Sequence, residues 1–493
     1  MRLIMQGHRH RFELENVIRL FLPQEKVRTE EGSADADEPV ALARLEKKAA
    51  ATLLTCRLTA GDFSRTRVAE VGNTHPAYEA ECEFLLADGL YRLLEEWTGI
   101  RPPWGLVTGV RPVKLLRRLT REMGEEKAAR ELRDRLLVSP DKLDLCRRTL
   151  HYEDPLLALS RPDSFSLYVS IPFCPTRCAY CSFVSHTVER AGKLVGPYVE
   201  RLAEELAVTG RIAKDLGLRL ETVYFGGGTP TSLTAAQLSA LFRAVEDHFD
   251  LSCLREYTVE AGRPDTVTED KLKAIKAAGA TRISINPQTL REDVLRAIGR
   301  RHTVAQFYEA FDLARRCGHG NINTDLITGL TGDDPPGFAE TLEGILGLAP
   351  ESVTVHTLSM KRASRLVTQK ETASAGLGAA EMVGFAAKRL PEAGYHPYYL
   401  YRQSRTADNQ ENVGWAQPGR EGLYNVYIMD ETHTILACGA GAVTKLKEPG
   451  GEYLERVFNY KFPYEYNARF EELLRRKERI PAFYERFTGH RPD

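Results

Sequence analysis

At 493 residues the chain exceeds one ordinary domain, and a core of that size buries easily. Its 67 Lys and Arg nearly cancel its 68 Asp and Glu, which excludes a global charge suited to nucleic acid or to an anionic membrane. The start, Met1 to Arg11, lacks a charged segment followed by an apolar one, and no apolar run approaches the roughly 18 residues that span a bilayer, so a cytoplasmic location is expected.

Residues 1–160 read as an N-terminal α/β domain of unassigned role. Glu30 to Glu38 is an acidic loop, Leu42 to Ala60 is helix or strand around Lys47-Lys48, and Tyr78 to Thr98 is an amphipathic helix broken by Arg101-Pro102-Pro103. Pro112 to Leu137 is helical. Its basic residues Arg111, Lys114, Arg117, Arg118 and Arg121 run into Glu125 and Glu126, the pattern of a solvated face rather than an RNA contact.

Residues 161–360 alternate β-type and helix-type runs. The strands are Ser166–Pro172, Thr222–Phe225, Glu256–Glu260, Arg282–Ile285, Ile322–Ile327 and Ser352–Thr357; the helices are Gly196–Leu216, Ala235–His248, Glu269–Ala278, Arg291–Ile298, Val304–Cys317 and Gly337–Leu348. Six βα units in order predict an α/β fold with a parallel sheet, an open barrel of six units whose site lies at the C-terminal strand ends. Residues 361–493 read as a C-terminal α+β extension covering the barrel. A helix Glu381–Glu392 leads into an aromatic strand Tyr395–Tyr401, then strands Asn425–Met429 and Ile435–Ala442, with a charged helical end from Glu452. The tyrosines 395, 398, 399 and 401 read as packing.

Nine cysteines, an odd number in a long neutral chain, argue against a disulfide framework. Cys253, Cys317 and Cys438 read as buried small hydrophobes. Cys174, Cys178 and Cys181 fall within eight residues directly after the first barrel strand. Three thiolates can ligate three irons of a [4Fe–4S] cluster and leave the fourth open to the amino and carboxylate groups of S-adenosylmethionine. The competing reading is a zinc site completed by His186, but structural zinc motifs come as two paired halves.

Gly226-Gly227-Gly228-Thr229-Pro230 follows the second strand, where glycines let backbone approach a ligand. The other strand ends carry Glu260, Gln288, Asp325 and His356, with Arg300 after the fourth helix, so polar groups converge inside the barrel. Arg362 and Arg365 are candidates for binding carboxylates.

The run Leu167-Tyr168-Val169-Ser170-Ile171-Pro172-Phe173-Cys174, with Gly226–Thr231, Asp325–Leu330 and Gly439-Ala440-Gly441-Ala442, resembles the radical SAM oxygen-independent coproporphyrinogen III oxidases. Residues 103–114 and Glu260–Asp265 are similar to the HemZ-type branch of coproporphyrinogen dehydrogenases. The resemblance implies a radical SAM partial (β/α)6 barrel. It implies that Tyr168, Tyr180, Gly227, Glu260, Gln288, Arg300 and Asp325 contact S-adenosylmethionine, and that Gly228 and Thr229 contact a second molecule of it. The implied reaction is heme-biosynthetic: oxidative decarboxylation of coproporphyrinogen III to protoporphyrinogen IX through a 5′-deoxyadenosyl radical, with a flavodoxin or ferredoxin as electron donor. Two positions depart from the oxidases. Phe183 stands where a further cysteine is expected, and Ser170 where a histidine is expected. Phe183 is shared with related heme chaperones, but those carry a histidine before the asparagine of the segment matching Glu411-Asn412-Val413-Gly414-Trp415. A heme-binding chaperone and a radical SAM enzyme acting on another tetrapyrrole are the alternatives.

Overall fold

A computed structural model describes residues 1–23, 25–30, 38–181, 183, 185–359, 376, 378–403 and 405–488. They fall into two compact units, Met1–Cys146 and Arg147–Asp493.

The first unit is a five-stranded sheet with two helices on it. Strands β1 (Arg2–Gln6), β2 (Arg28–Glu30), β3 (Val40–Lys47), β4 (Ala51–Ala60) and β5 (Phe63–Gly72) lie in the order β2-β1-β3-β4-β5, with the last three antiparallel. The ambiguous stretch 42–60 is thus a hairpin. In β4, Leu54, Cys56 and Leu58 alternate inward, the period of a half-buried strand. The helices Arg11–Phe21 and Tyr78–Thr98 contribute Leu14, Ile18, Phe21, Leu86 and Leu90 to the same core, and Gly99 ends the second in a left-handed turn. The single helix read over 112–137 is interrupted at Gly124, with φ 84, into Pro112–Met123 and Glu125–Arg130, followed by a π-helical turn at Glu131–Arg135.

The second unit carries the barrel. In chain order its strands are β6 (Ser164–Ile171), β7 (Phe173–Cys174), β8 (His186–Thr187), β9 (Arg219–Gly227), β10 (Glu256–Glu260), β11 (Arg282–Ser284), β12 (Ile322–Thr328), β13 (Ser352–Thr357), β14 (His396–Tyr401), β15 (Asn412–Ala416), β16 (Thr434–Cys438), β17 (Val443–Lys447) and β18 (Leu454–Phe458). The parallel strands β6, β9, β10, β11, β12 and β13 lie side by side in that order, joined by helices, which is the six-unit partial barrel. The C-terminal extension lengthens both ends of this sheet. Strand β16 pairs parallel with β6, and β15 pairs antiparallel with β13. Neither edge of the six-stranded arc is left bare, as sheet edges require.

Inside the arc the strands obey a two-residue period. Tyr168 and Ser170, Thr258 and Glu260, Asn323 and Asp325, and Thr354 and His356 fall on one set of positions. Leu167, Val169, Val223, Phe225, Ile283, Leu326, Val353 and Val355 fall on the other and form the apolar core.

Two expected elements differ. Residues 425–429 belong to a helix, Leu423–Asp430, rather than a strand. Its first amides, on Leu423 and Tyr424, donate to the Glu256 carboxylate at 2.6 and 3.3 Å, a cap supplied by a strand 167 residues earlier and so invisible in the local pattern. The end read as helical from Glu452 first contributes β18, which pairs with β17, before the helices Pro463–Ala468, Phe470–Lys477 and Arg479–Thr488. Cys438 is buried as expected, whereas Cys253 and Cys317 are half-buried. Arg362 and Arg365 lie outside the described residues, as does most of the acidic stretch 30–38.

Candidate radical site at the barrel mouth

The cysteine loop leaves the top of β6 and is fastened along its length. Cys174 ends β7, which pairs in parallel with β8. Midway, the amide of Ala179 donates to the Ile298 carbonyl at 2.9 Å, and Ala179 packs among Val294, Leu295 and Ile298. The loop is therefore tied both to its own strand and to the fourth βα unit.

The glycine run closes the other side. The amides of Gly228 and Thr229 donate to the carbonyls of Ile171 and Phe173, both at 2.8 Å, and the Thr229 hydroxyl points to Cys174 Sγ at 3.5 Å. A Cβ on Gly228 would lie 2.6 Å from the Phe173 oxygen and 3.0 Å from Cys174 Sγ; Gly227 has φ 105. These glycines thus make room for the cysteine strand itself, in addition to any ligand.

A single cavity of about 580 Å³ unites the expected residues. Tyr168, Cys174, Cys178, Tyr180, Cys181, Gly227, Gly228, Thr229, Glu260, Gln288, Arg300 and Asp325 all line it, and so does His356.

The donor set suits a cluster better than a single ion. Two thiolates on one zinc sit about 3.8 Å apart, given a Zn–S bond of about 2.3 Å. Among the described residues, only His10, Glu13 and Glu83 bring three or more such ligand atoms within 4.8 Å of one another, so the three cysteine sulfurs are spread wider than that. Thiolates radiating from different corners of a cubane require such a spread. His186, the fourth ligand of the zinc reading, sits in β8 with its ring against Phe462 and Tyr464.

Residues 168–345 match the Radical SAM superfamily. The oxygen-independent coproporphyrinogen-III oxidase-like protein HemZ of Bacillus subtilis (strain 168) is 41% identical over 393 residues, covering 78% of this chain and 78% of HemZ. The chain belongs to the HemZ-like family of radical SAM proteins. The heme chaperone HemW of the same organism is 31% identical over 313 residues, covering 61% of this chain and 77% of HemW. Among solved structures, coproporphyrinogen III oxidase (HemN) from Escherichia coli, a radical SAM enzyme, aligns with a TM-score of 0.51 at 23% identity. The alignment spans 66% of this chain and 74% of that one, a likeness of fold. Proteins of the radical SAM superfamily use a [4Fe–4S] cluster and S-adenosylmethionine, and in this HemZ-like chain three cysteines line one cavity.

The electrostatics of the cavity separate its two carboxyls. Burial, with the nearby Asp325 charge adding to it, pushes the Glu260 carboxyl up to about 8, against the hydrogen bond it accepts from the Tyr224 hydroxyl at 2.5 Å. For Asp325 burial acts in the same upward direction, but it is outweighed. His356 stands 3.8 Å away and the Asn323 side-chain amide donates to the carboxylate at 2.7 Å, so its pKa is lowered; the Asn286 side-chain amide also donates to it, at 2.8 Å. Gln288 has φ 72, and its buried Oε1 has no hydrogen-bond partner among the described residues. Arg300 spends two of its nitrogens on the Asn286 carbonyl at 2.5 Å and the Tyr180 hydroxyl at 3.2 Å, while its buried Nε is likewise unpartnered. Unsatisfied buried polar atoms and a left-handed glutamine facing one cavity are features of a site awaiting a polar ligand.

Several lining residues of this radical SAM cavity escaped sequence reasoning. Tyr224, Asn286 and Asn323 line it, and so do Tyr399 and Tyr401, two of the tyrosines read as packing. The Tyr401 hydroxyl lies 3.4 Å from His356 Nδ1. The signal available for Asn323 was the strand period: it lies two residues from Asp325, an expected cavity position on the same strand.

Proposed function

We propose that this protein catalyses the oxygen-independent oxidative decarboxylation of coproporphyrinogen III to protoporphyrinogen IX. The observation that carries the reading is the convergence of three cysteines with Glu260, Gln288, Arg300 and Asp325 on one polar cavity at the mouth of the six-stranded arc. When bound, the cluster and S-adenosylmethionine would supply an electron and a 5′-deoxyadenosyl radical able to take a hydrogen from a propionate β-carbon; CO2 would then leave and a one-electron acceptor take the remaining electron, forming the vinyl group. Cys174, Cys178 and Cys181 hold the cluster. Glu260 gives up its proton to receive the ammonium group of S-adenosylmethionine, Gln288 offers its free carbonyl oxygen to a donor on the same ligand, and Asp325, held ionised, accepts from hydroxyls. Tyr168, Tyr180, Gly227 and Arg300 complete these contacts, and Gly228 and Thr229 face a second S-adenosylmethionine. The electron donor is a low-potential flavodoxin or ferredoxin. The location is the cytoplasm; among the described residues no helix is long and apolar enough to cross a membrane.

A heme-binding chaperone is the second reading, favoured by the 31% identity to a heme chaperone and by Phe183, which is 63% exposed beside the cluster loop. The segment that would serve it is already engaged within the fold. Trp415 is fully buried in β15, and the Asn412 side chain accepts from the Thr357 amide at 3.0 Å.

The deciding experiment incubates the anaerobically reconstituted chain with reductant, S-adenosylmethionine and coproporphyrinogen III, with products read by mass spectrometry. Loss of two CO2 units, matched by 5′-deoxyadenosine and abolished by Cys178→Ala, is the expected result. Cleavage of S-adenosylmethionine with the porphyrinogen unchanged would move the substrate to another tetrapyrrole. Heme retained without any cleavage would favour the chaperone.

A further inference from the structure

Arg263 is not required by the reading above, yet it is almost fully buried beside the cysteine loop, at 3% exposure. Its Nη1 group faces three acceptors on that loop: the Thr176 hydroxyl at 3.0 Å, the Thr176 carbonyl at 3.4 Å and Cys178 Sγ at 3.8 Å. Its other two nitrogens form a two-pronged pair with Asp265, at 3.1 and 3.0 Å. Thr176 passes the connection on by donating to the Gly299 carbonyl at 3.2 Å. Behind this group lies His302, buried and kept neutral: burial first, then the Arg300 and Arg263 charges, hold its pKa down at about 3. Asp265 is therefore the counter-charge that faces the guanidinium.

We infer that Arg263 is a positioning residue for the cluster, which clamps the cysteine loop and, by directing a cationic N–H at the Cys178 sulfur, makes the cluster easier to reduce. A positive donor at a ligating thiolate favours the form that carries one more electron, and hydrogen bonds to sulfur together with net charge are the protein's levers on cluster potential. Asp265 holds the guanidinium in place and offsets part of its charge. The geometry is a fixed fork, which a lysine would not reproduce.

The inference rests on the reading that Cys174, Cys178 and Cys181 hold the cluster, and its test keeps the two apart. The full-length chain and its Arg263→Gln, Arg263→Lys and Asp265→Asn variants are reconstituted anaerobically. Iron and sulfide are counted, and the reduced cluster is followed by electron paramagnetic resonance through a redox titration. In Arg263→Gln the reduced-to-oxidised ratio at a fixed potential should fall at least tenfold, a shift of about 59 mV for a one-electron couple. Arg263→Lys should fall between that variant and wild type. Asp265→Asn, which keeps the guanidinium and removes its counter-charge, should shift the ratio the opposite way, and it carries the test should Arg263→Gln not retain its cluster. Loaded variants with the wild-type ratio would overturn the inference, including the case in which Arg263→Gln weakens only the binding of S-adenosylmethionine. A wild-type chain that takes up no cluster would overturn both readings.

Discussion

The Lys477 ammonium lies 2.8 Å from Oε1 of Glu205, and both side chains are sealed from solvent. The pair joins the C-terminal helix Phe470–Lys477 to the helix that follows the cysteine loop. The other oxygen of Glu205 accepts from the Gly439 amide at 2.7 Å and the Tyr466 hydroxyl at 2.6 Å. From there the connection runs to the site: the Ala440 amide donates to the Tyr198 hydroxyl, which donates to the Ser170 carbonyl, both at 2.8 Å. Ser170 Oγ closes the circuit by donating to the Ala440 carbonyl at 2.9 Å. The position that departs from the oxidase pattern by being serine thus serves to fix the strand end just ahead of the cysteines.

Replacing Lys477 by methionine leaves a buried carboxylate without its cation. Breaking such a pair costs about 3–5 kcal/mol, whereas removing both charges costs far less. Urea unfolding should show that loss for Lys477→Met and partial recovery in Lys477→Met/Glu205→Gln. A loss below about 1 kcal/mol would mean that water reaches the pair, in conflict with its burial.

Gly228→Ala tests the closeness of the glycine run to the cysteine strand. The added methyl group meets backbone and a sulfur, neither of which can swing away, so about 1–3 kcal/mol of overpacking strain falls on the segment carrying Cys174. Iron and sulfide bound per chain should drop well below wild type. Gly192→Ala, where a Cβ meets nothing within 4 Å inside the helix Val188–Asp215, should bind cluster normally and gain up to about 1 kcal/mol. Equal cluster content in the two variants would contradict the packing argument.

Much of the barrel was legible because its six parallel strands are short apolar runs bounded by helices, so Glu256–Glu260 and Ser352–Thr357 emerge with their observed limits. The cysteines and the polar strand ends were legible because they cluster in sequence or recur once per βα unit. What stayed hidden depends on partners distant along the chain. Leu423–Asp430 is a helix because Glu256 caps it, and Arg263 gains meaning only from Thr176 and Cys178, 87 and 85 residues away. Tyr399 and Tyr401 looked like strand packing because alternation alone does not say which face of an antiparallel strand looks into a cavity.

Glu260 makes stability pH-dependent in a defined direction. Its carboxyl would ionise near 4.5 in the unfolded chain and does so at about 8 in the folded one. Below about pH 4.5 both states hold the proton and its favourable contribution is complete. Between there and pH 8 the folded state binds more protons than the unfolded state, so this contribution declines as pH rises. Unfolding free energies measured at several pH values across that window should fall more steeply for wild type than for Glu260→Gln, which cannot ionise. Parallel slopes would show that Glu260 is already charged in the fold.

Gln288 sets stability against ligand binding at one residue. A left-handed backbone costs a side-chain-bearing residue about 1–2 kcal/mol relative to glycine, and its buried Oε1 has no hydrogen-bond partner among the described residues to offset that cost. The strain is imposed from both sides: the Gln288 amide donates to the Asp325 carbonyl, and the Ile327 amide donates to the Gln288 carbonyl, each at 3.1 Å, so the residue is stitched to β12 in this conformation. Gln288→Gly keeps those backbone bonds, relieves the strain and removes the carbonyl oxygen. The variant should be about as stable as wild type or up to about 1 kcal/mol more stable, while binding S-adenosylmethionine about tenfold more weakly, the loss of roughly one hydrogen bond to a charged group. Melting curves and equilibrium dialysis on the same cluster-loaded preparation separate the two effects. A variant that loses stability and affinity together would make Gln288 a packing residue, and unchanged affinity would remove it from the ligand's contacts.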